Sequence, residues 1–510
     1  MMLPVAQPAS RLVRIGLLCV LAGGGALRFW NLTAGLPSRI GVDEPVIAQV
    51  AVHIMKSGDF NPHFFDYPGL YIYVQTLVAC VRFVMGTLDG LWRSLDQFWP
   101  EHLFLWTRAL NAALGTLTIL IVYRAALRWG SWVALLSAVL MAVLPNNVRE
   151  AHFALTDIPL TLFTTLALVQ SLRASETGRL AWFLAAGASV GLAAATKYIG
   201  ALALVMPLIA AAMAAGPGSS RAWRAIAVTG AASGAFLLGA PYTVLDLPAF
   251  LNAFGALAVA YRPRPFGDGA QIYLAHLNVV VGWPGVIACG AGTMWGVVRA
   301  ARDRDFAKWA LVIVFPLVFF YFVATKHLIF ARYLLPVAPF LCLLMAVVVV
   351  DSVLWVLRLQ QPRQWVRIVV AAAFVGVVLF HPARAGIAWP GQWGKRTTQD
   401  VAYDIIRQSI PLRSTVAVER SVLRLPDSAY RTINALSLTE RSPEEYGSLG
   451  VTFLLATSDA FGPVFARPDQ NPDAYKKYRR LLEEGRCLPP VVPTADVSGP
   501  EVRICRLRTE

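Results

Sequence analysis

The sequence predicts an α-helical polytopic membrane protein with about eleven transmembrane helices, followed by a C-terminal soluble α/β domain. Three observations carry that expectation. The 510 residues are 57% hydrophobic and only 15% charged, with a mean hydropathy of +0.56, against roughly 25% charge in soluble globular chains. Of the Asp, Glu, Lys and Arg side chains, 33 fall in the last 129 residues, roughly a quarter of that stretch and near the soluble average. Apolar runs of about 15 to 25 residues, as a bilayer core requires, begin near Ile15, Arg108, Trp132, Ile158, Leu180, Ile199, Ala225, Ile272, Phe306, Tyr333 and Arg367. The membrane domain is therefore expected over 1–381, with a long first outer loop at 31–107, and the soluble domain over 382–510.

Charge orients these spans. The chain carries 45 basic and 30 acidic residues, and cytoplasmic loops collect Lys and Arg. With the N-terminus inside, the basic pairs Arg11/Arg14, Arg124/Arg128, Arg173/Arg179 and Arg221/Arg224, and the stretches 299–308 and 358–367, all face the cytoplasm. The soluble tail is then extracytoplasmic. Tyr67 to Gly86 is apolar enough to span, but doing so would invert every later loop. With Arg82 in mid-run and Tyr67, Tyr71 and Tyr73 at its start, it is expected to lie at the interface, with a twelfth span as the alternative. Ile15 to Leu27 lacks a convincing cleavage site for a signal peptide. The aromatics sit inside apolar runs, not on a basic soluble face, so nucleic acid is not an expected partner.

The outer loops then gather charges that an apolar domain does not need. Asp43 and Glu44 follow Ile40-Gly41-Val42 and precede Pro45, and helix capping is the plain alternative to a chemical role. Asp157, in Thr156-Asp157-Ile158-Pro159, emerges on the same side, near Arg149 and His152. Lys197 lies in the next outer turn, Thr196-Lys197-Tyr198, and Arg332 where a later helix enters from outside. Snorkelling and lipid headgroups are their plain alternatives; a bound phosphate is the sharper one. Ionisable groups at a membrane face point to a site when they share one cavity. Sugar transfer from a lipid phosphate needs a carboxylate to take the acceptor proton and cations to stabilise the departing phosphate.

These residues resemble the GT-C glycosyltransferases that use polyprenyl-phosphate sugars, especially the protein O-mannosyltransferase-like and aminoarabinose-transferase-like branch. The resemblance covers most of the chain. It rests on Asp43-Glu44 in a long first loop, Tyr67-Pro68-Gly69-Leu70, Arg108-x-x-Asn111-Ala112, Thr156-Asp157-x-Pro159, Thr196-Lys197-Tyr198 and Arg332-Tyr333-Leu-x-Pro336-x-x-Pro339. It implies Asp43 as general base with Glu44 beside it, Asp157 as the second-loop acid, and Lys197, Arg332 and Tyr333 on the donor phosphate, with inversion by direct displacement. The implied partners are a polyprenyl-phosphate-linked sugar, a protein, lipid or glycan acceptor, and membrane lipids. Where the aminoarabinose branch has a Lys before Pro-Pro and the mannosyl branch His-Pro-Pro, this chain has Asp66-Tyr67, so the sugar and acceptor stay open.

His63, Asp66, Tyr67, Arg108 and His276 are further candidates for substrate or metal contact. No cofactor is certain; a divalent cation is a candidate, although no spacing here matches a diagnostic metal motif. Of six cysteines, Cys19, Cys80, Cys289 and Cys342 lie in apolar segments, while Cys487 and Cys505 stand eighteen positions apart in the tail and suit a disulfide if the tail is extracytoplasmic. In that tail, Thr398–Ser409 and Pro472–Glu484 read as helices, and Thr415–Glu419, Val451–Thr457 and Val502–Leu507 as strands. A transporter or lipid flippase is the rival function, whose marks would be inverted repeats and helices broken at mid-depth. A catalytically silent scaffold is another.

Overall fold

A computed structural model describes residues 11–41, 43–214, 220–360, 363–419, 423–482 and 486–507. The chain divides into two compact units: Met1–Leu32, His53–Cys80 and Thr107–Pro390 form one; Thr33–Val52, Val81–Trp106 and Gly391–Glu510 form the other. The division falls after Pro390, where the sequence placed it after 381, because one apolar helix runs without a break over Gln364–Trp393. The first loop, expected as one piece of the membrane domain, is shared between the units.

Eight helices among the described residues are long and apolar enough to cross a membrane, where eleven spans were expected. Seven match expected spans. The eighth is Gly69–Leu88, the run expected to lie at the interface, which meets the same length and apolarity. The expected spans near Trp132, Leu180 and Ile199 are helical but short, at Ser131–Val143, Leu180–Thr196 and Tyr198–Met213. The span near Ile158 forms the 21-residue helix Asp157–Thr177, whose buried Thr161, Thr164, Thr165 and Ser171 dilute its apolarity. Their hydroxyls are available to bond carbonyls of the preceding turn, as Thr161 and Thr165 do, so a helix wrapped by protein tolerates them.

Polar side chains hold the breaks between these helices. Ser131–Val143 ends two residues before Pro145, which cannot continue the hydrogen-bond ladder. Arg28, fully buried, donates to the carbonyls of Met141 (3.0 Å) and Ala142 (3.0 Å), and to Asn147 Oδ1 at 2.5 Å. A guanidinium at a helix C-terminus also suits the dipole. The 38-residue segment Phe266–Asp303 kinks at Gly282, whose φ of 70° requires glycine, two residues before Pro284. The His381 ring bonds the Val279 carbonyl there at 2.9 Å.

The second unit holds a five-stranded sheet: β1 (Thr415–Glu419), β2 (Arg431–Ala435), β3 (Val451–Thr457), β4 (Arg486–Cys487) and β5 (Val502–Arg506), in the order β2-β1-β3-β5-β4. β1 is parallel to both neighbours, while β5 runs antiparallel to β3 and β4. Helix Thr398–Ser409 begins at a Thr397/Asp400 capping box. The charged helix spans Pro472–Leu482, and positions 483 and 484 lie outside the described residues. Cys487 and Cys505 are disulfide-bonded across β4 and β5. The buried Glu419 carboxylate, at the carboxyl end of β1, accepts from the Leu438 (3.1 Å) and Thr457 (2.8 Å) amides and the Tyr478 hydroxyl (2.5 Å). Burial holds it above the usual carboxylate range despite these bonds. The first-loop pieces are stitched to this fold: the Arg424 amide donates to the Ser38 carbonyl (2.9 Å), the Ser428 amide to Glu101 (3.1 Å), and Gln49 to Asp427 (2.9 Å).

Candidate active site

In the helical unit three helix termini converge on one carboxylate. Asp157 opens Asp157–Thr177, Lys197 directly follows Leu180–Thr196, and Arg332 lies in the 3-10 segment Ala331–Val337. Lys197 Nζ is 2.7 Å from Asp157 Oδ1, and Arg332 Nε is 3.8 Å from Asp157 Oδ2. The ammonium lies 4.6 Å from the Tyr333 ring centroid and 5.9 Å from that of Tyr67, within cation–π range. Tyr333 is hydrogen-bonded through its hydroxyl to Tyr261. Asp157 and Lys197 are buried, and removing one partner of such a pair leaves a charge uncompensated, at roughly 3–5 kcal/mol.

The backbone explains the convergence. Lys197 is extended (φ −155°), so the chain leaves one helix and starts the next turn at Tyr198. The loop before Asp157 is held by Asn111, whose amide donates to the carbonyls of Phe153 (2.7 Å) and Leu155 (2.8 Å) while its oxygen accepts from Tyr71 (2.9 Å). These bonds satisfy carbonyls that would otherwise be buried without partners. Asn146 donates to the Ala331 carbonyl at 2.9 Å, tying the same loop to the Arg332 segment. Past Arg332 and Tyr333, an apolar pocket is lined by Leu334, Leu335, Ala338, Val281 and Leu144.

Asp43 and Glu44 belong to the second unit, where the Asp43 carbonyl accepts from the Ile47 amide at the start of helix Glu44–Ser57. The Glu44 carboxylate accepts from the Gly41 amide at 2.6 Å, so Glu44 has a capping role whatever else it does. His63 is exposed and paired with Asp59 at 2.9 Å; that bond holds the Asp59 carboxyl below its usual range. Asp66 is exposed. Arg108 is fully buried, with Nη1 3.4 Å from the Leu32 carbonyl and its guanidinium over the Phe153 ring. His276 stands against Tyr273. Among the described residues no three His, Cys, Asp or Glu side chains gather as a metal set.

Two contributors escaped the sequence. Glu150 is buried, 3.4 Å from Arg149, and burial pushes its carboxyl up to about 7, with Asp157 adding to that and Arg149, Arg332 and Lys197 opposing it. The sequence reading singled out Arg149 in this loop but not Glu150. Tyr261 closes a 14-residue helix whose sequence has no titratable side chain, and only tertiary structure brings it to Tyr333.

The geometry has clear structural likenesses. ArnT from Cupriavidus metallidurans, bound to undecaprenyl phosphate, superposes with a TM-score of 0.58 at 16% identity, over 98% of this chain and 99% of that one. The Archaeoglobus fulgidus oligosaccharyltransferase in the apo form gives 0.56 at 14% identity, over 88% and 70%. The chain is a multi-pass membrane protein of the GT-C fold. Residues 74–241 of this GT-C chain match the family described as dolichyl-phosphate-mannose-protein mannosyltransferase, a stretch that contains Arg108, Asn111, Asp157 and Lys197. Dolichyl-phosphate-mannose–protein mannosyltransferase 1 of Saccharomyces cerevisiae is 30% identical over 113 residues, 21% of this chain and 14% of that protein. Protein O-mannosyltransferase 1 of Drosophila pseudoobscura pseudoobscura is 30% identical over 190 residues, 35% and 20% of the two. The GT-C chain thus matches a fifth or less of the length of these curated relatives.

Proposed function

We propose that this protein is a membrane glycosyltransferase that moves a hexosyl or pentosyl group from a polyprenyl phosphate to an acceptor hydroxyl of a protein, lipid or glycan, with inversion at the anomeric carbon. The observation that carries this reading is the pair of cations, Lys197 and Arg332, which meet at the Asp157 carboxylate, with the segment that carries Arg332 leading into an apolar pocket at Leu334 and Leu335. A lipid phosphate has that duality, an anionic head and an apolar tail. The undecaprenyl phosphate in the ArnT structure, and the dolichol-phosphate with an inhibitory peptide on the Archaeoglobus enzyme AglB, support the same donor class.

In this reaction the Asp43 carboxylate takes the acceptor proton as the hydroxyl oxygen attacks the anomeric carbon. The bond from that carbon to the phosphate oxygen breaks, and its electron pair stays on the phosphate. Lys197 and Arg332 stabilise the added charge. Glu44, engaged with the Gly41 amide, fixes the start of the helix beside the base. An extracytoplasmic site fits the Cys487–Cys505 disulfide, which suits an oxidising compartment.

The test is transfer from a panel of labelled undecaprenyl- and dolichyl-phosphate sugars in proteoliposomes. Wild-type protein should transfer label, and Asp43→Asn should insert and fold normally yet lose at least a hundredfold in rate. Intact wild-type protein that transfers from no polyprenyl phosphate overturns the reading; undiminished transfer by Asp43→Asn removes Asp43 from it.

A further inference from the structure

The site contains one carboxylate more than a phosphate clamp requires. Asp157 occupies both cations, Lys197 at 2.7 Å and Arg332 at 3.8 Å. It also subtracts from the attraction for an anionic ligand, which a site built only for tight phosphate binding would avoid. The arithmetic of charge gives it a purpose. Two cations and one carboxylate leave a net single positive charge. Glu150 lies 3.4 Å from Arg149 and within reach of the same three charges, but burial lets it keep much of its proton near neutral pH, so it adds little negative charge, while the half-exposed Arg149 is screened by water.

Resting on the donor reading above, we infer that Asp157 is a specificity-determining residue that matches the phosphate site to a singly charged phosphodiester and against a doubly charged phosphomonoester. A polyprenyl-phosphate sugar is a phosphodiester with one negative charge. Breaking its sugar–oxygen bond leaves a phosphomonoester carrying about −1.5 to −2 at neutral pH. With a net charge of +1, the site is balanced by the donor and over-filled by the product. The second charge is stabilised as it forms, but the completed dianion is not retained. Asp157 thereby favours exchange of spent carrier for fresh donor, and it positions Lys197 and Arg332 while doing so. Tyr333 and Tyr67 flank the ammonium with rings instead of further charge, which leaves the count unchanged.

The experiment is equilibrium binding to full-length protein in nanodiscs, with undecaprenyl phosphate and its methyl ester as the two probes. The ester carries one charge and the phosphate two, and neither needs to react. Wild-type protein should not favour the dianion. Asp157→Asn should shift the affinity ratio toward the phosphate by about tenfold, since opposite charges at contact distances are worth at least that in a partly buried site. Lys197→Gln should shift the ratio the other way, and Asp157→Glu should restore it. Parallel loss of both ligands in Asp157→Asn, or an unmoved ratio in either charge variant, would mean that Asp157 only braces the fold, and overturns the inference. Wild-type protein that binds neither probe defeats the donor reading itself, and the inference with it.

Discussion

Glu150 shows how one side chain can set a pH dependence. Its carboxyl is raised from 4.5 to about 7 by burial, so the folded protein keeps a proton that the unfolded chain releases above about 4.5. Stability must then fall as pH rises from 4.5 to 7, and the cost, on the order of 3 kcal/mol, is fully present above 7 and absent below 4.5. Glu150→Gln, neutral throughout, should flatten that part of the profile and raise the melting temperature in detergent at pH 8. An identical slope in wild type and variant would contradict the assignment. The sequence offered Asp157, Lys197 and Arg332 as candidates because they are charges at the ends of apolar runs, and Tyr67 and Tyr333 through the motifs that carry the resemblance. Glu150 stayed hidden because burial is a tertiary property.

Between elements, the contact of Leu180–Thr196 with Arg221–Gly239 places Lys197. Gly187 and Gly191 line that contact four residues apart; a Cβ on Gly191 would lie 2.2 Å from the Ala232 carbonyl, and one on Gly187 2.4 Å from that of Val228. Small residues at this spacing let lipid-embedded helices approach closely. Gly191→Val should push the helices apart, cost roughly 1–3 kcal/mol, and weaken binding of undecaprenyl phosphate by moving Lys197. Gly234→Ala, on the partner helix with open space around it, should be neutral or stabilise by up to ~1 kcal/mol. Equal melting temperatures for the two variants would refute the close-packing account. The hydropathy pattern located the apolar helices well, but counted buried, Thr-rich or broken ones such as Asp157–Thr177 as ordinary spans. A helix shielded by other helices obeys weaker rules than one facing lipid.

For the whole molecule, the shift in charge density announced a second unit, and local rules recovered its main elements. Thr398–Ser409 is the helix its spacing predicts, and the strand-like stretches Thr415–Glu419 and Val451–Thr457 are β1 and β3. β2 was missed because its half-exposed pattern reads as loop, and β4 because it is two residues long. Residues 33–52 and 81–106 were assigned to the membrane domain, since their bonds to partners more than 300 positions away leave no local trace. Replacing Cys487 and Cys505 by Ser opens an 18-residue link and should destabilise the second unit by about 2–4 kcal/mol. Scanning calorimetry should show its transition lowered and that of the helical unit unmoved; an unshifted transition would argue against the bridge.

Glu419 carries a consequence for what this second unit can receive. Parallel sheets admit nucleotides and sugar phosphates at the carboxyl edge between strands whose onward connections diverge, and here that notch, between β1 and β3, is stoppered by the chain's own anion. A visiting phosphate would meet a resident negative charge where its relatives in other folds find vacant amides.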